Sequence, residues 1–168
     1  MNGRIAYTCL ALALVSVCSG GTGCALPVIE GIFDQRDFAL FDDTPEARGE
    51  SDDATLLVFV DIDDGAGRLR TVSIDLRALP TLPVGEAIDV GSGKWDDARP
   101  SVEVVEGSLV TEQLADGGTL MSTGDDARRA VSQTGTMTLA ENGDTVVGSF
   151  DVDLDDGGFL HGSFRSTR

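Results

Sequence analysis

The sequence predicts an all-β domain built on a single curved antiparallel sheet, a β-sandwich or small barrel of about eight to ten strands, behind an N-terminal signal peptide. Three observations carry that reading. From Thr55 onward, apolar segments of five to ten residues alternate with Gly-, Asp- and Asn-rich clusters, and none sustains the 3.6-residue period of a helix. Two tight-turn signals, Asn142-Gly143 and Asp156-Gly157-Gly158, sit at hairpin spacing near the end of the chain. Counted outward from them, Gly135, Gly148 and Gly162 share the inner face of neighbouring strands, where glycine marks curvature.

Residues 1–23 read as an address rather than as part of the fold. Residues 1–29 contain no Asp or Glu, and Arg4 is their one charged side chain. Ile5 to Val17 is a nearly unbroken apolar run of 13 residues, shorter than the ~20 a helix needs to cross a bilayer and right for a signal-peptide core. The small residues Ser19 to Gly23 follow, and then Cys24. This arrangement resembles the type II signal of bacterial lipoproteins, with the small Gly23 at −1 that this family uses and Gly21 at −3 where it prefers an aliphatic residue. The resemblance implies cleavage before Cys24, acylation of that residue with chains such as palmitate, and a membrane anchor. With Ala25 rather than Asp after the cysteine, it also implies sorting to the outer membrane in a cell that has one. Plain secretion is the alternative. Cys9 and Cys18 would leave with the signal, so the mature chain would keep one cysteine and form no internal disulfide.

Residues 24–53 are expected to be the attachment cysteine and a tether or loop. Short apolar pairs are followed by the polar run DDTPEARGESDD at 42–53, with one docked strand near Phe38 to Phe41. The β domain is expected over 54–168. Its first hairpin, Thr55 to Asp63 and Leu69 to Leu76, has two registers open to it. One sets Asp61 against Arg70, and the other faces Val58 and Val60 toward Val72 and Ile74. Leu56 to Val60 is apolar on both faces, as in a strand covered on both sides. Further strands are expected near 86–90, 101–112, 118–122 and 130–134.

In the last third, counting from Asn142-Gly143 sets Leu139 opposite Val146, Met137 opposite Gly148 and Gly135 opposite Phe150. Counting from the second turn sets Leu154 opposite Leu160, Val152 opposite Gly162 and Phe150 opposite Phe164. Both counts choose one inward face: Met137, Leu139, Val146, Phe150, Val152, Leu154, Leu160 and Phe164.

Composition narrows the function. The chain has 168 residues, 29 acidic against 12 basic, a net charge of −17 and 41% hydrophobic residues. Such a surface repels phosphate backbones and anionic headgroups, which excludes nucleic acid as a partner, while the apolar content supports a core. Removing residues 1–23 takes away only Arg4, so the excess belongs to the exported domain.

Reactive side chains are few. Beyond Cys24, the mature chain has one histidine, one tryptophan, one asparagine and no tyrosine. There is no G-x-S-x-G elbow. Gly91-Ser92-Gly93-Lys94 lacks the upstream glycine of a phosphate loop, since Ile88 stands there, and Trp95 follows the lysine. His161 is expected on an outward strand position opposite Asp153, as a cross-strand charge pair rather than a metal ligand. Asp151 to Gly157 resembles the opening of a calcium loop, but Asp156 and Gly162 occupy the places where an EF-hand has glycine and glutamate. Asp63, Asp64, Asp155 and Asp156, brought together by paired turns, are the candidate weak calcium ligands, and no other cofactor is implied. Trp95 is the candidate contact for a ligand or partner, with capping of the open end of the β core as its structural alternative.

The stretch from Gly135 to Phe164, with G-T-M-T-L, V-V-G-S-F-D-V-D-L-D-D-G-G-F and L-H-G-S-F, resembles the C-terminal β repeats of small uncharacterised bacterial exported lipoproteins. That resemblance implies no activity and no site residues. The expectation for the whole chain is a lipid-anchored, extracytoplasmic β domain with a structural or binding role and no catalysis. A small apolar-ligand carrier with a lipocalin-like barrel is the alternative. A core filled by Met137, Phe150 and Phe164 speaks against the carrier, and an apolar pocket of several hundred cubic ångströms speaks for it.

Overall fold

The computed structural model describes residues 28–41, 46–51, 54–63, 65–77, 81–94, 97–115 and 117–167. Eleven strands account for most of them, and no α-helix occurs among the described residues. In chain order they are β1 (Ile29–Phe33), β2 (Arg36–Leu40), β3 (Glu46–Ser51), β4 (Ala54–Asp63), β5 (Arg68–Asp75), β6 (Ala87–Asp89), β7 (Ser101–Gln113), β8 (Thr119–Thr123), β9 (Arg128–Asn142), β10 (Thr145–Leu154) and β11 (Phe159–Thr167). All pair antiparallel in one sheet, in the order β2-β1-β11-β10-β9-β7-β5-β4-β3, with β6 on β9 and β8 on β7.

The sheet is nearly closed and barrel-like, and chain connectivity explains why. β2 and β3 follow one another in sequence but stand at opposite ends of the strand order. Laid flat, eight strand spacings would separate them by about 38 Å. From Leu40 to Glu46 there are six residue steps, which reach about 21 Å at full extension. The sheet must therefore curl until its ends approach, and β3 does come within 8 Å, Cα to Cα, of β11.

The interior is one apolar cluster. Leu57, Phe59, Val72, Ile74, Val102 and Val104 supply one wall. All eight residues expected on the inward face of the C-terminal strands are buried and supply the other. Burial of each large apolar side chain contributes about 1.5–3 kcal/mol before entropy is counted. At Ser132 the long β9 changes partner on one edge, from β7 to β6. Its hydroxyl donates to the Gly91 carbonyl (2.6 Å) and accepts from the Val102 amide (3.0 Å), so the exchange leaves these buried groups satisfied.

The C-terminal registers differ from expectation by two residues. Met137 faces Phe150 rather than Gly148, and Leu160 faces Val152 rather than Leu154. The Asn-Gly turn is replaced by a wider loop with a bulge that leaves Ala140 unpaired, and the second turn occupies Asp155 to Gly157. Because side chains alternate with period two, a slip of two keeps every residue on its expected face. The β4–β5 hairpin takes the register that sets Asp61 against Arg70. Leu57 and Phe59 then point inward, and Leu56, Val58 and Val60 face outward half-buried rather than under a second layer.

Within the span 24–53, expected to be a tether or loop, the described residues include three strands. β1 and β2 form a hairpin whose Ile29, Phe33, Phe38 and Leu40 are buried in the main core, and β3 occupies Glu46–Ser51 within the expected loop. Asp34 and Gln35 close the β1–β2 turn with φ of 50° and 62°, a type I′ geometry without the usual glycine.

Curvature at the predicted glycines has a direct cause. Gly148 faces Phe164, and a Cβ there would stand 2.5 Å from the ring and 2.9 Å from the Thr138 carbonyl oxygen. A Cβ on Gly143 would meet nothing within 4 Å. Gly148→Ala is therefore expected to destabilise the fold by about 1–3 kcal/mol. Gly143→Ala should stay within about 0.5 kcal/mol. Urea unfolding of the two variants checks the contrast.

Candidate functional site

The inward face changes chemistry along each of four neighbouring strands at the same level. One row across β4, β5, β7 and β9 is Phe59, Val72, Val104 and Ala130, all buried. The next row on that face is Asp61, Arg70, Glu106 and Arg128, four charges of alternating sign. Asp63 and Arg68 follow on β4 and β5. The apolar interior thus ends in a charged rim, which forms the mouth of the barrel.

Glu106 is the hinge of this rim. Its carboxylate lies 3.0 Å from Arg68 and 3.5 Å from Arg70, with 18% of the side chain exposed. Arg70 also faces Asp61 at 3.4 Å, and Arg68 approaches Asp126 at 3.9 Å. Asp126 accepts hydrogen bonds from the Ser108 amide and hydroxyl, both 2.8 Å, and these bonds, with Arg68 nearby, hold its carboxyl below the usual range. The β1–β2 turn leans over the same end, where Asp34 ion-pairs with Arg128 and its amide donates to Asp156 (2.7 Å). Between turn and rim lies a cavity of about 250 Å³ walled by Phe33, Phe38, Arg36, Arg68, Arg70 and Arg128. Each guanidinium offers five N–H donors, so the mouth can hold an anionic oxygen.

A ribbon extends from the same end. β7 continues past its pairing with β5 and β9, and from Leu109 to Gln113 it pairs with β8 alone. Val110, Leu114, Leu120 and Met121 on this ribbon are 42–49% exposed. Val110 and Leu120 share one face of the ribbon and Met121 takes the other. A two-stranded ribbon is marginal by itself, and exposed apolar side chains on it are typical of a docking surface.

Ser92 and Gly93 lie over the outer face of β5, β7 and β9, beside Ser73, Glu103 and Val131. Arg77 clamps this segment, donating to the carbonyls of Gly93 (2.9 Å), Lys94 (2.8 Å) and Asp97. Asp97 accepts two hydrogen bonds from the Arg99 guanidinium, 2.9 and 2.8 Å, and others from the amides of Arg99 and Ser92. The Arg99 side chain above all, then these amides, holds the Asp97 carboxyl well below the usual carboxylate range.

The residues singled out in the sequence have mixed fates. Cys24, Asp64 and Trp95 lie outside the described residues. Asp63 accepts from the Ala66 amide, Asp155 from the Val131 amide, and Asp156 from the amides of Asp34 and Gly158, so these carboxylates tie turns together. Among the described residues no three acidic, histidine or cysteine groups converge as a metal site. His161 pairs with Glu30 on β1 (3.0 Å) and stacks on Phe159, while Asp151 rather than Asp153 stands opposite it, a result of the two-residue slip. The arginine-lined mouth was missed as a site. Its signal was the facing pair of segments Asp61-Ile62-Asp63 and Arg68-Leu69-Arg70, opposite in sign and matched in period.

No family model, curated protein or solved structure matches the chain.

The Asp97 cluster makes a pH prediction. A carboxyl whose folded pKa is depressed adds stability that is present above its unfolded pKa and fades as pH falls below it. The wild-type protein is expected to lose this contribution below about pH 4, and Asp97→Asn to be less stable at neutral pH with a shallower acid limb. Thermal melting of both proteins between pH 7 and pH 2 measures the difference, and parallel curves would contradict it.

Proposed function

We propose that the chain is a lipid-anchored, extracytoplasmic binding domain that performs no catalysis, carried on acylated Cys24 and sorted to the outer membrane in a cell that has one. Ile29 opens β1 five residues after Cys24, so the anchor lies within about 18 Å of the start of that strand. β1 begins at the end opposite the mouth, since its last residue leads into the turn beside Asp156. A domain held this way presents its mouth and ribbon away from the membrane. The observation that carries the binding role is the β7–β8 ribbon, with its four exposed apolar side chains on a segment paired only with itself. Buried Met137, Phe150 and Phe164 support this reading over the apolar-ligand carrier, because they occupy interior volume that a carrier would leave open.

The test uses the full chain in a bacterial host with a photocrosslinking residue in place of Leu120. The protein is expected in the membrane fraction with an acylated Cys24 at its mature N-terminus, and Cys24→Ala is expected in the soluble fraction. Irradiation of intact cells should join position 120 to one protein of defined mass, and Val110→Asp, on the same face of the ribbon, should abolish that product. An unmodified N-terminus elsewhere than Cys24 would overturn the anchor. Absence of a crosslink, or one indifferent to Val110→Asp, would overturn the binding role of the ribbon.

A further inference from the structure

We propose that the cavity at the barrel mouth is a binding site for a small monocarboxylate with an apolar body, a site separate from the ribbon that meets a protein partner. In a chain of net charge −17, this one cavity gathers four of the twelve basic residues, Arg36, Arg68, Arg70 and Arg128. Its lining carboxylates are Asp34, Asp37 and Glu106, and Asp61 and Asp126 reach Arg70 and Arg68 from just outside it. Two other cavities hold one arginine or none. The open groove beside His161 contains Asp151 and no arginine, and the cavity beside Ser92 and Gly93 sets Asp75 and Glu103 against Arg129.

The four guanidiniums are not equally committed. Arg68 and Arg70 are held by Glu106 and its neighbours, and Arg128 by Asp34. Arg36 is exposed and forms no ion pair among the described residues. Nε of Arg68 is buried without a hydrogen-bond acceptor, and Nε of Arg70 has only the 3.5 Å ion pair with Glu106. Opposite, Phe33 and Phe38 pack edge to face at 6.1 Å and 85° and, 4% and 5% exposed, present only their edges to the cavity.

Charge and size select the ligand. Arg36 can receive a carboxylate in a bidentate fork while an aryl or short alkyl body lies against the edges of the two rings. Arg36 is the one guanidinium of the four without a carboxylate partner among the described residues, and it balances one negative charge. A phosphate monoester, at about −1.5 to −2, exceeds it and meets the repulsion of the whole acidic domain. A volume near 250 Å³ falls below the ~300 Å³ at which pockets for drug-sized molecules begin, which fits a molecule of the size of benzoate.

Calorimetric titration of the purified protein with sodium benzoate, methyl benzoate and inorganic phosphate tests the proposal. Benzoate is expected to bind saturably, and the neutral ester and phosphate are not. Arg36→Ala is expected to weaken benzoate about tenfold, the loss of one charge-assisted hydrogen-bonding partner, with unchanged melting temperature because Arg36 is exposed. Arg36→Lys should restore part of the affinity. Failure of benzoate to bind at about 10 mM, equal binding of the ester or of phosphate, or an Arg36→Ala variant that binds as the wild type does would each overturn the proposal.

Discussion

The short link between β2 and β3 is the constraint on which the rest of the structure depends. Two strands adjacent in sequence stand at the two ends of the sheet order, and six residue steps must join them. Closure follows from chain length alone, and the inner face has to accommodate it. Large side chains there need small neighbours, and Gly148 beneath Phe164 and Gly162 against Ile29 supply them. Curvature, core packing and connectivity are therefore one requirement expressed three ways.

Closure also creates the mouth. On β4, β5 and β7 the inward residues are apolar at one end of the barrel and become charged where it opens. In an open sheet those charges would lie on a flat, wet edge and contribute little. Gathered around a rim, with the β1–β2 turn leaning over them, Asp61, Arg70, Glu106 and Arg128 alternate in sign at close range. Their partial burial strengthens each pairing and also raises the cost of any donor left unpaired. The acidic surface elsewhere makes this concentration of arginine more conspicuous, since four of the twelve basic residues meet at one cavity.

The sequence displayed the fold well because the signals for it are local. Alternation with period two survives errors in turn length, so all eight inward residues of the C-terminal strands were legible although the Asn142-Gly143 turn was misplaced. The β1–β2 hairpin was illegible for an equally physical reason. Asp34-Gln35 adopts the left-handed conformation without glycine, held by the Asp34 amide bond to Asp156, a residue 122 positions away. β3 carries no apolar alternation, and its pairing with β4 settles its conformation. The mouth was half legible: Asp61 and Arg70 were already one of two registers, but Arg128, Asp34 and Glu106 join them only through closure.

That closure is open to direct measurement by the distance between nitroxide labels at Arg48 on β3 and Arg165 on β11. A flat sheet in the observed strand order sets these strands six spacings apart, about 29 Å. The closed barrel, with β3 within 8 Å of β11, predicts a label separation under about 20 Å once the label arms are included. A distance distribution centred near 30 Å or beyond would contradict closure, and with it the account of the mouth and its cavity.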